Sequence, residues 1–267
     1  MTIHYLDPAP RNYQPILLLH GLGADSRSWE FQIQALVSNG YRPIVPDLPG
    51  FGKSPPLPGG WSVLSIANQV ADWLVKIGCV NLPIVGISMG GAVALQLTLD
   101  YPDLVSTLVL VNTFACLRPR NIRTGAYLFR RFIKAMLRGS ASQAEIVAQH
   151  LFPYPDQAYL RAAIIQLIKE TDPAVYRQAM RALMLFDQRK RLSEIRIPTL
   201  VISGEQDATV PLENQRDLVE RIPGARHILI PGARHAVTAD HPEAFNASLL
   251  AFLREVQPSA VEIQNSH

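Results

Sequence analysis

The sequence PIVGISMGGAVAL, at residues 83–95, decides the fold of this chain. Apolar residues lead up to Ser88 and predict a buried strand, and the uncharged run after it predicts a helix. Gly86 and Gly90 frame the serine in a Gly-x-Ser-x-Gly pattern, which is typical of a sharp turn that exposes a serine hydroxyl. We expect a Cβ at either glycine to collide with the opposite limb of the turn. The pattern therefore predicts a strained, exposed Ser88 at the carboxyl end of a parallel strand.

Apolar runs alternate with amphipathic patterns on both sides of this stretch. Such alternation is typical of βα units and a parallel sheet. The predicted strands are residues 4–6, 15–19, 43–46, 83–87, 106–111, 199–203 and 227–230. Besides the helix after Ser88, the predicted helices are residues 28–37, 64–77, 212–221 and 243–256. Ser26 or Ser28 is the expected cap of the first helix.

The alternation breaks between residues 116 and 196, where helical patterns occur without a convincing strand. Helices are predicted near residues 123–137, 142–151, 157–170 and 174–186. The expected domains are therefore a core of residues 1–115 and 197–257, an inserted helical cap at 116–196 and a disordered tail at 258–267. The insert holds fifteen Arg and Lys residues against six Asp and Glu residues. This surface is either an ordinary solvated face or a basic face that attracts an anionic substrate or an acidic carrier protein.

Size and composition exclude several classes of protein. The 267 residues, 48% of them hydrophobic, suffice for one large core, and a net charge of +3 is too small to indicate nucleic-acid binding. Residues 77–99 lack charge, but polar residues and glycines favour a buried strand, turn and helix over a membrane span. Cys79 and Cys116 are predicted to be buried free thiols. With no secretory pattern in residues 1–14, the expected location is the cytoplasm.

A serine hydroxyl needs a neighbouring base, and that base needs an orienting carboxylate. His235 follows the predicted strand at 227–230 and is the candidate base, whereas His227 begins that strand at its opposite end. Asp207 follows the strand at 199–203 and is the candidate acid. Some proteins of this shape carry the acid one strand earlier, where this chain has Asn112. Ser88, His235 and Asp207 are therefore expected at one edge of the sheet.

The same edge offers donors for a developing negative charge. The N–H of Met89, just after the serine, is one expected donor, and the N–H of Leu22 in the loop HGLG at residues 20–23 is the other. The phosphate-loop pattern fails because Asp47 stands where it requires glycine, and the dinucleotide pattern fails because Ser26 stands where it requires glycine or alanine. No Cys/His spacing indicates a metal, and the expected mechanism needs no cofactor.

Together these motifs resemble the α/β-hydrolase fold, in the large group that includes carboxylesterases, enol-lactonases and C–C bond hydrolases. The resemblance rests on HGLG at 20–23, DLPGFGKS at 47–54, GISMGG at 86–91, GEQD at 204–207 and GARH at 232–235. It implies a mostly parallel central sheet flanked by helices, with a helical cap over the active site, and a triad in the order Ser, Asp, His. Related dehalogenases and epoxide hydrolases use an Asp nucleophile, which Ser88 argues against.

The expected function is hydrolysis of a small-molecule carboxylic ester through an acyl-enzyme. The same triad suits a lactone, or a C–C bond in a vinylogous β-diketone. A synthase or lyase that abstracts a proton from an anionic substrate is an alternative of another class, and a binding protein that keeps the fold is a third. The sequence leaves the substrate, and the choice between monomer and homodimer, open.

Overall fold

The computed structural model describes residues 2–117, 125 and 141–256. Seven strands of these residues form one sheet in the order β1-β3-β2-β4-β5-β6-β7. Strand β1 pairs antiparallel with β3, and every other pair is parallel. The strands are β1 (Tyr5–Leu6), β2 (Gln14–Leu19), β3 (Tyr41–Pro46), β4 (Leu82–Ile87), β5 (Val105–Val111), β6 (Thr199–Gly204) and β7 (Arg226–Ile230). The predicted mostly parallel sheet is confirmed.

Helices connect these strands and follow the last one. They are α1 (Glu30–Val37), α2 (Val63–Lys76), α3 (Met89–Asp100), α4 (Ala141–Leu151), α5 (Ala158–Glu170), α6 (Pro173–Leu185), α7 (Leu212–Arg221), α8 (Val237–Asp240) and α9 (Pro242–Val256). Helices α4, α5 and α6 all lie in the connection between β5 and β6. The helix predicted near residues 123–137 lies outside the described residues.

The sheet carries an apolar layer on each face. On one face, Ile66 and Leu74 of α2 and Leu95 of α3 join a buried cluster with strand residues. On the other face, Phe245 and Leu249 of α9 pack in a second cluster. All six residues of β4 are buried. Burial on both faces explains why the strands read as continuous apolar runs rather than as an alternating pattern.

This topology fixes where the candidate residues meet. Strands β4, β6 and β7 run parallel, so their carboxyl ends lie on one edge of the sheet. Ser88 directly follows β4, Asp207 follows β6, and His235 follows β7. Residues that are 147 positions apart in the sequence therefore approach one another at this edge.

Some local expectations were wrong. Asp25, not Ser26 or Ser28, caps the first helical segment, because its carboxylate accepts a hydrogen bond from the N–H of Arg27. That segment, Ser26–Trp29, is a 3-10 helix, and α1 begins only at Glu30. The short helix α8 was not predicted, because four residues are too few to show a helical period.

The two other predictions from composition concern the cysteines and residues 77–99. Cys79 and Cys116, both within the described residues, are buried and are not joined in a disulfide. Residues 77–99 contain the strand β4 and most of α3. Across the described residues, no helix has both the length and the apolar character needed to cross a bilayer.

Candidate active site

Ser88 lies at a strained turn between β4 and α3. Its backbone has φ 54° and ψ −113°, which is unusual for a residue with a Cβ. A Cβ on Gly86 would overlap the backbone of Gly90, as expected for the opposite limb of the turn. A Cβ on Gly90 would instead overlap the carbonyl of Leu19 at the end of β2. The nearest clash at Gly90 is therefore with the neighbouring strand β2, and this contact also requires glycine there.

Hydrogen bonds with Val111 of β5 and with Thr113 just after that strand hold this turn in place. The N–H of Ser88 donates to the carbonyl of Val111 at 2.9 Å. The hydroxyl of Thr113 donates to the carbonyl of Ser88 at 2.7 Å. A Cβ on Gly91 would collide with the side chain of Thr113, so glycine there leaves room for this contact. The strained conformation is thus fixed by its surroundings, as strained backbone at functional sites requires.

The structure brings Ser88, His235 and Asp207 into one hydrogen-bonded line. His235 Nε2 lies 3.0 Å from Ser88 Oγ. His235 Nδ1 lies 2.9 Å from Asp207 Oδ2. The side chain of Asp207 is fully buried, and that of His235 is 11% exposed. Nδ1 therefore carries a hydrogen and donates a hydrogen bond to the carboxylate, which leaves Nε2 free to accept a hydrogen bond from the hydroxyl of Ser88.

Backbone amides fix the carboxylate from its other side. The N–H of Thr209 donates to Asp207 Oδ1 at 2.8 Å, and the N–H of Val210 donates to the same oxygen at 3.0 Å. Glu205, the neighbouring acid, accepts instead from the N–H of Gly232 at 3.0 Å. Glu205 thus joins the end of β6 to the loop after β7.

The loop at residues 20–23 passes beside Ser88 and is held by His20. His20 is fully buried; Nδ1 donates to the carbonyl of Gly21 at 2.9 Å, and Nε2 accepts from the N–H of Leu48 at 2.9 Å. Burial lowers the pKa of this imidazole, in keeping with a neutral ring that donates once and accepts once. Both nitrogens of His20 therefore serve to fix this loop.

The two backbone amides expected to act as oxyanion donors belong to Met89 and Leu22. Met89 is the first residue of α3, so its N–H has no partner within the helix. Gly21 lies next to the Ser88 side chain, and both Gly21 and Leu22 line the cavity in front of it. Within the described residues, we find no hydrogen bond from the N–H of Met89 or of Leu22. These are the amides expected to stabilise an oxyanion.

A cavity of about 350 Å³ opens in front of Ser88 and His235. Helices α4, α5 and α6 supply much of its described lining. Their apolar contributions are Val147, Leu151, Leu160, Ala163, Ile164, Leu167, Met180, Leu183 and Met184. From the sheet side, Ile87, Phe114 and Val210 complete an apolar wall. The cavity is therefore suited to an uncharged, largely apolar molecule.

Charge at the cavity is largely paired. Arg27 and Glu30 are the charged residues of its described lining. The guanidinium of Arg27 donates to both carboxylate oxygens of Asp25 and also binds Glu170 of α5. Hydrogen bonds from Arg27 and then Gln166 lower the pKa of Glu170. The Arg27–Glu170 contact joins the loop after β2 to helix α5.

Asn112 is a residue at this site whose role the sequence did not reveal. Its side chain accepts from the N–H of Gly204 and donates to the carbonyls of Arg234 and His235. It thereby joins the ends of β5 and β6 to the loop that carries the imidazole. Only its position at the end of a strand, where an acid was considered, marked it in the sequence. The described residues contain no group of three or more His, Cys, Asp or Glu side chains able to hold a metal ion.

Comparison with known proteins places this geometry in a family. A family described as "alpha/beta hydrolase fold" matches residues 14–242. The chain belongs to the α/β-hydrolase family. The sheet order, the turn at Ser88 and the chain order Ser88, Asp207, His235 all agree with this assignment.

Relatives of this α/β hydrolase carry names that refer to different bonds. The chain is 32% identical over 98% of its length, and 99% of the relative's, to a protein of Variovorax paradoxus named "Putative carbamate hydrolase RutD". An enol-lactonase from Burkholderia xenovorans has a TM-score of 0.85 at 26% identity, covering 94% of this chain and 96% of its own. An esterase from Thermogutta terrifontis has a TM-score of 0.82 at 28% identity, covering 95% and 93%. These relatives support a hydrolase, and their names leave the substrate to be argued from the site.

Proposed function

We propose that this α/β hydrolase is a serine hydrolase of neutral carboxylic esters. The observation that carries the proposal is the contact of His235 Nε2 with Ser88 Oγ at 3.0 Å, at the floor of an apolar cavity. A histidine at hydrogen-bond distance from a serine hydroxyl is the arrangement that activates serine as a nucleophile. The apolar lining favours a substrate without charge, since an ion would lose its hydration there.

The mechanism follows from the positions of these groups. Ser88 Oγ attacks the ester carbonyl while His235 Nε2 takes the hydroxyl proton. Asp207 holds the imidazole by its Nδ1–H and stabilises the cation that forms. The amides of Leu22 and Met89 donate to the oxyanion. His235 then protonates the leaving alcohol, and a water molecule, deprotonated by the same imidazole, hydrolyses the acyl-enzyme.

Residues 116–196 act in this proposal as a cap that shapes the substrate cavity. Three of its helices, α4, α5 and α6, contribute lining residues opposite Ser88. Differences in these helices between relatives would therefore change the preferred acyl or alcohol group without changing the triad. Seven of the fifteen basic residues of this segment lie outside the described residues. Attraction of an anionic substrate or of a carrier protein stays a prediction.

The second candidate is hydrolysis of a carbamate, which the near full-length similarity to the Variovorax protein favours. A carbamate carbonyl reacts with the same nucleophile and the same oxyanion donors. The cavity argues against the free carbamate ion, which is small and charged, because most of the described lining is apolar and the guanidinium of Arg27 is already paired with Asp25 and Glu170. A carbamate carrying an apolar group meets no such objection.

The test is hydrolysis of p-nitrophenyl esters, from acetyl to long acyl chains, by the wild type and by Ser88→Ala. We expect turnover by the wild type and its loss in the variant, with the best chain length reporting the size of the cavity. Ammonia release from carbamate is measured in parallel. Turnover of carbamate without turnover of any ester would overturn the proposal in favour of the second candidate. Inactivity of a folded wild type toward both would direct attention to lactones, C–C bonds or proton abstraction.

A further inference from the structure

A line of hydrogen bonds reaches Asp207 from behind the candidate triad. His227 Nε2 lies 2.9 Å from Ser203 Oγ. Ser203 Oγ lies 2.6 Å from Gln215 Oε1, and Gln215 Nε2 lies 3.1 Å from Asp207 Oδ2. His227 was set aside in the sequence because it begins β7 at the end remote from Ser88. The side chains of Ser203 and Gln215 nevertheless connect His227 to the carboxylate of Asp207.

The fold explains why these residues meet. Ser203 lies near the end of β6, and His227 lies on the adjacent strand β7, which pairs with β6 in parallel register. Gln215 lies in the first half of α7, which follows β6. Ser203 and Gln215 are both fully buried. A buried polar group that lacks a hydrogen-bond partner costs free energy. Each side chain in this line is therefore held in the conformation that keeps its hydrogen bonds.

The direction of the line is fixed by its contacts. Gln215 Nε2 also donates to the carbonyl of Val210 at 3.0 Å. A reversed amide would place its oxygen against that carbonyl and against the carboxylate of Asp207, so the nitrogen must face both. Gln215 Oε1 therefore accepts from the hydroxyl of Ser203, and Ser203 Oγ accepts from His227 Nε2–H. Burial, and then Arg216, lower the pKa of His227, in keeping with a neutral ring protonated at Nε2.

Gln215 contacts the carboxylate oxygen that also faces the imidazole. Asp207 Oδ1 is occupied by the amides of Thr209 and Val210. Asp207 Oδ2 receives His235 Nδ1 at 2.9 Å and Gln215 Nε2 at 3.1 Å. Rotation of the carboxyl group away from His235 would break the bond to Gln215. Hydrogen bonds that follow one another in a chain also polarise one another, which strengthens the last hydrogen bond, from Gln215 to Asp207.

We propose that Gln215, supported by Ser203 and His227, is a positioning residue that holds Asp207 Oδ2 toward His235 Nδ1. This inference rests on the proposed function, since it assigns Gln215 a role in the reaction of Ser88. Gln215 contacts neither the cavity nor Ser88, so its substitution changes the rate of the chemical step and leaves substrate binding intact.

The experiment replaces Gln215 by Met, which is of similar size and cannot donate. We expect kcat for the preferred ester to fall about tenfold or more, with KM within about twofold of the wild type. Ser203→Ala, which frees the amide oxygen of Gln215, is expected to lower kcat less, and His227→Ala least. The matched control is Gln96→Met, because Gln96 is also buried and donates to a carboxylate, Asp100 Oδ2, at 2.5 Å. This control is expected to keep the kcat of the wild type.

A second readout separates positioning from general damage to the fold. Gln215→Glu places a second carboxyl group against Asp207, and such a pair shares a proton. The protonated group donates to Asp207 Oδ2, whereas the ionised group repels it. We therefore expect kcat of Gln215→Glu, relative to the wild type, to fall as the pH rises from about 5 to about 8. The same ratio for Gln215→Met is expected to stay flat.

The outcomes distinguish this inference from the proposed function. Loss of activity in Ser88→Ala together with a wild-type kcat in folded Gln215→Met would overturn the inference and leave the proposed function standing. Equal rates for the wild type and Ser88→Ala would overturn the proposed function. A larger effect of Gln215→Met on KM than on kcat would also contradict a positioning role. Should Gln215→Met fail to fold, a wild-type kcat in Ser203→Ala would overturn the inference.

Discussion

The side-chain amide of Asn112 donates to the backbone carbonyl of His235 at 2.7 Å. The same nitrogen donates to the carbonyl of Arg234 at 2.9 Å, and the side-chain oxygen accepts from the N–H of Gly204 at 2.8 Å. Asn112 is fully buried and has φ 43°, a conformation that asparagine tolerates better than most residues. One side chain thus links β5, the end of β6 and the loop of the candidate base.

Asn112→Ala removes all three of these hydrogen bonds. The buried N–H of Gly204 loses its acceptor, so we expect the free energy of unfolding to fall by about 1–3 kcal/mol. Because the His235 loop loses its anchor, we also expect kcat for the preferred ester to fall about tenfold or more. Urea denaturation and steady-state kinetics measure the two effects. An unchanged kcat in this variant would show that other contacts suffice to hold the imidazole.

Gly90→Ala tests the contact between the turn at Ser88 and strand β2. The added Cβ would overlap the backbone carbonyl of Leu19, a fully buried residue of β2. We expect the variant to be recovered in low yield, or to unfold at a much lower temperature, because overpacking of a buried backbone contact is destabilising. Thermal unfolding followed by circular dichroism measures this.

The matched control for that substitution is Gly59→Ala. Gly59 is exposed, its backbone does not have a positive φ, and a Cβ there would meet nothing within 4 Å. The control is expected to unfold within a degree or two of the wild type, since exposed substitutions rarely change stability. A normal unfolding temperature for Gly90→Ala would contradict the proposed packing of α3 against β2.

The fold and the candidate triad were predictable because their signals are local. The sequence around Ser88 contains its own strand, turn and helix, and Asp207 and His235 each follow an apolar strand. Asn112 and Gln215 were not predicted, because their importance lies in contacts with residues far along the chain. A lone amide side chain gives no periodic or motif signal, and only the packed structure shows which groups it joins.

Asp47 in the segment DLPGFGKS is expected to have a pH-dependent effect on stability. Burial opposes its ionisation, but hydrogen bonds from Lys53 and Ser26 outweigh it and hold the pKa of Asp47 below its usual value. Oδ2 accepts from the N–H of Lys53 at 2.9 Å and contacts His4 at 2.8 Å, and Oδ1 accepts from the N–H of Ser26 at 2.9 Å. Asp47→Asn replaces one acceptor by a donor, so we expect a loss of about 1–3 kcal/mol at neutral pH.

The sign of the pH effect follows from the lowered pKa. A carboxyl group whose pKa is lower in the folded state stabilises fully above its unfolded pKa, about 3.9, and stabilises less as the pH falls toward the folded value. The difference in unfolding free energy between the wild type and Asp47→Asn should therefore be constant from about pH 5 to about pH 7 and shrink below about pH 4. Urea denaturation at each pH measures it. A difference that grows toward acid would contradict this account.

Ala163→Phe tests whether α5 limits the size of the substrate. Ala163 lines the cavity and Ala162, its neighbour, is exposed and does not. A phenyl ring at position 163 fills part of the cavity of about 350 Å³, so long acyl chains lose their space while an acetyl group keeps it. We expect kcat/KM for long-chain p-nitrophenyl esters to fall about tenfold or more, with the acetyl ester within about threefold of the wild type.

Ala162→Phe, which adds the same ring on the outer side of the helix, is expected to leave the whole series unchanged. If both variants lose activity equally on short and long esters, the helix does not line the acyl site, and the ring acts only by disturbing α5.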